Sequence, residues 1–350
     1  MTKTAAWAAP AAGKPLAPFV IQRRAPGAGD VEIDVLFCGI CHSDIHQARD
    51  EWGGATVPMV PGHEIVGRVR SVGRAVTRFK PGDMAGVGCM VDACRTCAPC
   101  RHDTEQFCQA GAAFTYNGTE MDRATPTYGG YSKRVVVSER FVLKVPANLD
   151  PAAAAPLLCA GITTYSPLKE WACKAGDRVG IVGLGGLGHM GVKIAAALGA
   201  NVTVFSTSPG KQADARRLGA QAFVDVRDPS VLATLAGQFD LLLDTVSAPH
   251  DYNLLLGLLR PRGTLVVVGA PPTPAPVAAM ALIWGNRRLV GSLIGGIRET
   301  QEMLDFCGAH GIVSDVEVIP IQKVNEAYER MLRADVRYRF VIDLATLPDA

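Results

Sequence analysis

The sequence has no uninterrupted apolar run near the ~20 residues that a membrane-spanning helix needs, and it has little excess of either charge. Its 35 Lys and Arg residues face 33 Asp and Glu residues, which leaves a formal net charge of +2. This balance favours neither a nucleic-acid nor a membrane partner. Because the N-terminal segment lacks a basic region that leads into an apolar core, we expect no signal peptide and a cytoplasmic location.

The composition indicates a folded protein of about two domains. The chain has 350 residues, 48% hydrophobic and 19% charged. Over the first ~150 residues, β patterns such as VEIDVLFCG alternate with Gly and Pro, which is typical of an irregular β-barrel or sandwich. From Asp177 onward, strand and helix patterns alternate, which predicts a parallel sheet with right-handed crossovers. The predicted class is therefore α/β, a β-rich domain with a doubly wound parallel one.

The tail after Ile294 has a different pattern. It predicts a helix over Glu299–Ala309, a short strand, a second helix over Lys323–Leu332 and a last strand, RFVID. Periodicity alone leaves open whether this tail forms a unit of its own or returns to the first domain.

The cysteines suggest a metal site. Ten are present, four of which lie within one short segment: Cys94, Cys97, Cys100 and Cys108. In a chain without a secretion signal, such clustering favours metal thiolates over disulfides. Four thiolates satisfy tetrahedral Zn²⁺ and leave no position for a substrate, so we predict a structural zinc site. The cysteines outside the metal sites are expected to be small buried apolar side chains: Cys38, Cys89, Cys173 and Cys307.

A glycine-rich turn predicts a dinucleotide site. Gly183, Gly185 and Gly188 form a GxGxxG motif that follows the apolar strand pattern RVGIV and opens an amphipathic helix. Glycines in this context allow a tight turn and the close approach of a pyrophosphate, while the helix N-terminus donates N–H groups to the phosphates.

The end of the next predicted strand favours NADP(H) over NAD(H). The strand pattern NVTVF is followed by Ser206 and Ser208, then Lys211, with no acidic residue among them. An acid here would grip both ribose hydroxyls and repel a 2′-phosphate, whereas hydroxyls and an ammonium group would bind that phosphate. The alternative is that these residues form a plain polar turn into the next helix.

A second candidate metal site combines residues that are far apart in sequence. Cys41, His63 and Cys159 supply two thiolates and an imidazole, with Glu64 next to the histidine. Three protein ligands leave a fourth position for water or substrate, which is the catalytic zinc arrangement. Taken singly, each of these residues is more often structural.

Several motifs together resemble a known family. Gly62-His63-Glu64 with Gly67 and Gly73, the four-cysteine segment, GLGGLG and VTVFSTSP resemble the zinc-dependent medium-chain alcohol dehydrogenases. Within that family the chain is similar to the cinnamyl-alcohol-dehydrogenase-like branch, with its bacterial NADP-dependent aldehyde reductases. The resemblance implies a GroES-like catalytic domain at 1–154, a Rossmann NADP-binding domain at 155–294, and a return to the catalytic domain at 295–350.

The same resemblance assigns roles to individual residues. Cys41, His63 and Cys159 hold catalytic zinc, with Glu64 as an occasional fourth ligand. Ser43 and His46 form a proton relay, and Ser43 also borders the cofactor. The substrate pocket includes Trp52, Phe114 and Ile294. The remaining residues line the cofactor: Thr163, Gly183, Leu184, Gly185, Gly186, Leu187, Gly188, Ser206, Thr207, Ser208, Lys211, Thr245, Gly269, Ser292, Leu293 and Ile294.

The function expected from sequence is interconversion of primary alcohols and aldehydes, aromatic or medium aliphatic, with NADP(H) and two zinc ions per chain. Aldehyde reduction is expected to be the main direction, and the resemblance suggests a homodimer. One alternative is an NAD-linked polyol or amino-alcohol dehydrogenase, in which Asp normally stands at Ser206. The other is a non-catalytic NADPH-binding sensor, which would be expected to lack a zinc ligand or Ser43.

Overall fold

The computed structural model describes residues 1–349, which form two units. The first unit comprises Met1–Cys159 and the chain from Gly295 onward, and the second comprises Ala160–Ile294. The sequence predicts divisions after residues 154 and 294, whereas the units divide after Cys159 and Ile294. The short 3-10 helix Ala155–Leu158 lies in the first unit because it packs against four strands of that unit's main sheet.

The described residues contain nineteen strands and eleven α-helices. The strands are β1 Thr2–Ala8, β2 Ala17–Arg23, β3 Asp30–Gly39, β4 Ile65–Val72, β5 Met84–Val87, β6 Met90–Asp92, β7 Ala113–Phe114, β8 Gly118–Thr119, β9 Pro126–Thr127, β10 Arg134–Ser138, β11 Leu143–Lys144, β12 Arg178–Val182, β13 Asn201–Ser206, β14 Ala222–Asp225, β15 Phe239–Asp244, β16 Leu259–Val267, β17 Arg288–Gly291, β18 Val316–Pro320 and β19 Arg339–Asp343. The helices are α1 His42–Ala48, α2 Ala98–Arg101, α3 Pro151–Ala154, α4 Ala160–Glu170, α5 Gly188–Ala197, α6 Gln212–Leu218, α7 Pro229–Thr234, α8 Tyr252–Leu258, α9 Ala279–Ile283, α10 Ile297–His310 and α11 Val324–Leu332.

The first unit is built on a mostly antiparallel sheet. Its strand order is β11-β5-β4-β3-β19-β18, with β10 also paired to β3. Alternate side chains of β3, from Val31 to Val35, are buried, so one face of this strand packs into the core. The tail returns to this sheet, because Val341 of β19 pairs with Gly39 of β3.

The second unit is a doubly wound parallel sheet. Its strand order is β14-β13-β12-β15-β16-β17, and every adjacent pair runs parallel. Buried apolar runs such as Val202–Phe205 and Leu241–Leu243 identify strands covered on both faces. Strand order reverses between β12 and β15, and crevices at the carboxyl ends of such strands are the usual ligand sites.

Two sequence patterns give elements shorter than their apolar runs suggest. The strand pattern FVLKVP predicts one strand, but it forms a strand only over Leu143–Lys144, because a 3-10 helix occupies Glu139–Phe141. The Leu-rich pattern at 254–259 predicts a helix, which ends at Leu258, since Leu259 already belongs to β16. Among residues 1–349, no helix is both long and apolar enough to span a membrane.

Candidate functional site

The four-cysteine segment forms one compact cluster of thiols. The Sγ atoms of Cys94, Cys97, Cys100 and Cys108 all lie within 4.8 Å of one another. Cys94 and Cys100 are 3.9 Å apart, and Cys97 and Cys108 are 4.0 Å apart. These separations are those of sulfur atoms at the corners of a tetrahedron with sides near ~4 Å, which suits Zn–S bonds of ~2.3 Å. The cluster therefore fits a closed structural zinc site.

Backbone groups in this segment already favour thiolates. The N–H of Cys97 donates to Cys94 Sγ at 3.4 Å, and the N–H of Cys94 donates to Cys108 Sγ at 3.4 Å. N–H groups of Thr96 and Cys97 hold the pKa of Cys94 down at about 5. Hydrogen bonds to sulfur stabilise its charged form, so these backbone groups favour a thiolate at Cys94.

The second cluster is brought together by strand pairing. Because β3 and β4 are antiparallel, the end of β3 meets the start of β4, and Gly39 donates its N–H to the carbonyl of Glu64 at 2.9 Å. Cys41 follows β3, while His63 and Glu64 precede β4. Cys159 follows the 3-10 helix Ala155–Leu158.

All four residues of this second cluster are buried, and their candidate ligand atoms lie within 4.8 Å of one another. The Sγ atoms of Cys41 and Cys159 are 4.0 Å apart. The hydrogen bond to Cys159 holds the pKa of Cys41 well below its usual range, against the effect of burial. Two sulfurs, one imidazole nitrogen and one carboxylate are a donor set that zinc accepts, so the site fits the predicted ion.

Asp44 organises this metal centre, and sequence analysis missed it. Its fully buried carboxylate accepts hydrogen bonds from the N–H of Cys41 (2.9 Å), the N–H of Gly62 (3.1 Å) and the hydroxyl of Tyr131 (3.2 Å). It also lies 3.2 Å from Nδ1 of His63. That contact leaves Nε2 of the imidazole for the metal. The only local signal was the Cys-x-x-Asp pattern, in which Asp44 caps the short helix α1.

Glu64 has a second partner that sequence analysis also missed. One of its carboxylate oxygens accepts a hydrogen bond from Arg339 at 2.5 Å, and both side chains are almost fully buried. The other oxygen, Oε2, is buried without a partner among the described residues. Burial raises the pKa of Glu64 to about 8, which Arg339 opposes. A carboxylate oxygen without a hydrogen-bond partner, next to Cys41, His63 and Cys159, fits Glu64 as an occasional metal ligand.

Cys89 is not the buried apolar side chain that we expected. It is half-buried, and a side-chain contact with Cys159 lowers its pKa. Cys173 is also half-buried, so the prediction was wrong for both residues. Cys38 and Cys307 are fully buried, as predicted.

The glycine-rich turn has the shape that the motif predicts. Gly183 has a φ of +89°, and a Cβ there would lie 2.8 Å from a methyl group of Val246. A Cβ at Gly188 would lie 2.0 Å from the carbonyl oxygen of Gly183, so only glycine allows the helix to begin so close to the strand. A Cβ at Gly185 would meet no atom within 4 Å. That open space suits the close approach of a pyrophosphate.

The polar residues at the end of β13 and just after it lie next to the same turn. Ser206 is buried, and its hydroxyl accepts a hydrogen bond from the N–H of Ser208 at 3.1 Å. Nζ of Lys211 donates to the carbonyl of Leu184, within the turn, at 2.8 Å. Parallel pairing puts the ends of β12 and β13 side by side, with Val182 opposite Phe205. Ser206, Ser208 and Lys211 thus offer hydroxyls and an ammonium group at this position. An acidic residue in the same place would repel a 2′-phosphate.

Other predicted cofactor residues follow the carboxyl ends of neighbouring strands. Thr245 follows β15, and its hydroxyl donates to the carbonyl of Val182 at 2.8 Å. Gly269 lies just after β16, while Ser292 and Leu293 follow β17. Thr163 is buried on α4. Thr245, Gly269 and Ser292 therefore share the sheet edge of the glycine-rich turn.

The predicted relay and pocket residues do not form one cluster in the structure. Ser43 lies beside Cys41, with the two side chains 3.6 Å apart. His46 contacts the carboxylate of Glu51 at 2.5 Å and stacks on Trp52. Trp52 is 55% exposed and Phe114 is 44% exposed.

Two further observations concern side chains near these sites. The ring of Tyr116 stacks on His63 with centroids 5.7 Å apart, and its hydroxyl accepts a hydrogen bond from Gln47 at 3.0 Å. Ile294 has a φ of +41°. A β-branched residue in the left-handed region is strained, and such strain concentrates at functional positions.

Two family models match the chain. The alcohol dehydrogenase GroES-like domain matches residues 27–147, and the zinc-binding dehydrogenase model matches residues 186–309. Over 347 residues the chain is 53% identical to NADP-dependent alcohol dehydrogenase C of Mycobacterium bovis, which covers 99% of this chain and 100% of that protein. The chain belongs to the zinc-dependent medium-chain alcohol dehydrogenases.

Two other relatives place this alcohol dehydrogenase within the cinnamyl-alcohol-dehydrogenase-like branch. It is 52% identical to an aldehyde reductase of Escherichia coli, with 97% of each chain covered. It superimposes on the cinnamyl alcohol dehydrogenase of Sorghum bicolor with a TM-score of 0.97 and 48% identity, covering 100% of this chain and 99% of that one. The predicted family, fold class and enzyme class are thereby confirmed. The enzyme is a zinc-dependent oxidoreductase that interconverts alcohols and aldehydes.

Proposed function

We propose that this alcohol dehydrogenase is a cytoplasmic homodimer that uses NADP(H) and acts mainly as a reductase of aromatic or medium aliphatic aldehydes. Two observations support the cofactor preference. No acid stands at Ser206, and the ammonium group of Lys211 lies against the glycine-rich turn. The relative from Mycobacterium bovis is also described as NADP-dependent. The observation that carries the reaction is the buried donor set of Cys41, His63, Glu64 and Cys159.

The chain's own residues have separate roles in this reaction. When bound, zinc supplies a Lewis acid for the substrate oxygen and NADP(H) supplies or accepts the hydride. Cys41, His63 and Cys159 hold the metal, while Asp44 orients the imidazole of His63. Ser43 is placed beside Cys41 to pass a proton to or from the reacting oxygen.

The cofactor preference is tested with benzaldehyde, in parallel assays with NADPH and NADH at equal concentration. We expect kcat/KM for NADPH to exceed that for NADH by ~10²-fold, because the hydroxyl and ammonium groups bind the 2′-phosphate. S206D is expected to reduce or reverse this ratio, since its carboxylate repels that phosphate and binds ribose hydroxyls. S230D, which adds the same charge on α7, is the matched control. Equal rates with both cofactors would show that Ser206, Ser208 and Lys211 do not select for the 2′-phosphate.

The relay is tested by S43A. We expect kcat to fall by ~10²-fold with both zinc ions retained, because the variant removes the hydroxyl that exchanges the proton. Zinc content and kcat are measured on the same preparation. S71A is the control, since Ser71 on β4 donates its hydroxyl to Glu32 on β3 and takes no part in the relay. Near-normal turnover of S43A with full zinc would contradict a role for Ser43.

The proposed dimer uses the open edge of the second unit's sheet. β17 ends the strand order and has no partner on its outer side among the described residues. Met280, Ile283 and Trp284 are 56%, 67% and 83% exposed on and beside the neighbouring helix α9. An exposed edge strand beside an apolar patch favours association.

Light scattering after size exclusion tests this assembly. We expect the wild-type protein at twice the chain mass of 37.0 kDa and W284D shifted toward the monomer, because a carboxylate buried in the interface lacks a partner. L332D, at an exposed leucine of the first unit, is the control. A wild-type protein that runs as a monomer would overturn the proposal.

A further inference from the structure

A buried carboxylate and a histidine form a pair at the carboxyl end of β15. Asp244 is the last residue of this strand and is fully buried. Its Oδ2 lies 2.9 Å from Nε2 of His250, and its Oδ1 accepts a hydrogen bond from the N–H of Val246 at 3.1 Å. The two side chains close a loop of the chain over residues 245–250.

Both ring nitrogens of His250 face acceptors. Nδ1 lies 2.8 Å from the carbonyl of Ala248, which can only accept, so Nδ1 carries a hydrogen. Nε2 faces the carboxylate of Asp244. The rings of His250 and Tyr252 form a T-shaped contact, and burial raises the pKa of Asp244 while His250 opposes this. Both ring nitrogens of His250 thus have a partner within the loop or at the end of β15.

The loop that this pair closes packs on the glycine-rich turn. Thr245 donates its hydroxyl to the carbonyl of Val182, the last residue before the turn. Only the absence of a Cβ at Gly183 leaves room for Thr245 and Val246. Gly269 is equally tight, since a Cβ there would lie 2.3 Å from the carbonyl oxygen of Val246.

The outer part of the loop is held less firmly. Ser247, Ala248 and Pro249 are exposed, and the hydroxyl of Ser247 accepts one long hydrogen bond, from the N–H of Ala270 at 3.4 Å. Its first part is tied down by β15 and by backbone hydrogen bonds from Val268 and Gly269 to the carbonyl of Asp244. The contact between His250 and Asp244 therefore fixes the returning end of the loop.

We infer that His250 is a positioning residue for cofactor binding: its contact with Asp244 holds Thr245 and Val246 against the glycine-rich turn that receives NADP(H). The inference rests on the proposed function, because it takes the turn as the cofactor site. It implies that disturbing the pair weakens cofactor binding and leaves the chemical step at the metal centre unchanged.

Two variants separate the two hydrogen bonds of the ring. H250Q places an amide N–H where Nε2 lies and keeps the contact with Asp244. H250N places its amide near Nδ1, so it keeps only the contact with Ala248. We expect H250N to raise the Kd for NADPH by ~10-fold, with kcat at saturating NADPH within ~2-fold of wild type. H250Q is expected to bind NADPH within ~3-fold of wild type.

A third variant tests the carboxylate itself. In D244N, the amide oxygen can accept from Val246, and the amide nitrogen can donate to a neutral His250. Since both hydrogen bonds survive, we expect a Kd for NADPH close to that of wild type. The control for H250N is H310N, which makes the same change at an exposed histidine of the first unit.

Kd is measured by the change in NADPH fluorescence on binding, with zinc content and thermal melting recorded for each variant. Equal affinity of H250N and wild type would overturn the inference, as would H250Q binding as weakly as H250N. A parallel loss of kcat and zinc in H250N would also overturn it, since a general structural role predicts that loss. If the wild-type protein itself does not bind NADPH, the proposed function fails and the inference fails with it.

Discussion

C159S is expected to lower kcat by at least ~10³-fold and to leave about one zinc ion per chain instead of two. Cys159 is one of two thiols, 4.0 Å apart, in a cluster of four buried residues. A serine hydroxyl stays protonated where a thiolate is needed, so it binds zinc far more weakly than the native ligand. Without the ion, the substrate oxygen loses its Lewis acid while the remaining fold is retained.

Elemental analysis and steady-state kinetics on the same sample check this result. C173S makes the same chemical change outside both clusters, and we expect it to keep two zinc ions and normal turnover. A C159S protein that holds two zinc ions and turns over normally would remove Cys159 from the metal centre. The half-buried Cys89, whose thiol contacts Cys159, would then be the alternative ligand.

C100S is expected to remove the other zinc ion and to lower the melting temperature by roughly 10 °C, because a structural metal contributes its binding free energy to folding. The four thiols of this cluster lie on a segment with little regular structure, only the short helices Ala98–Arg101 and Glu105–Phe107. None of the residues in those two helices is fully buried. The segment thus has little apolar core of its own to replace the metal.

Differential scanning calorimetry and limited proteolysis across residues 94–108 measure the effect. R101A is the control, since Arg101 is exposed and lies in the same segment. We expect it to keep both zinc ions and the wild-type melting temperature. A C100S protein that melts with the wild type and resists proteolysis would mean that the segment folds without its metal.

Local patterns were sufficient for the features whose parts lie close together in the chain. The structural zinc cluster spans only Cys94–Cys108, and the glycine-rich turn needs only the residues between β12 and α5. Ser206, Ser208 and Lys211 were also singled out locally, because they end or directly follow the strand next to that turn. In each case the neighbours that matter are covalently close, so spacing along the sequence carries the geometry.

The sequence by itself therefore determined the family and the alternation that makes the second unit a parallel sheet, and it singled out the two clusters of candidate zinc ligands. Only the tertiary structure decided which groups support the catalytic ligands. Arg339 reaches Glu64 across 275 positions of sequence, and Tyr131 reaches Asp44 across 87. Arg339 and Glu64 meet because β19 and β4 both pair with β3, while Tyr131 precedes β10, which pairs with the same strand. No pattern of spacing records that long-range pairing. A buried charge needs a partner wherever the fold can bring one, so such contacts are decided in space.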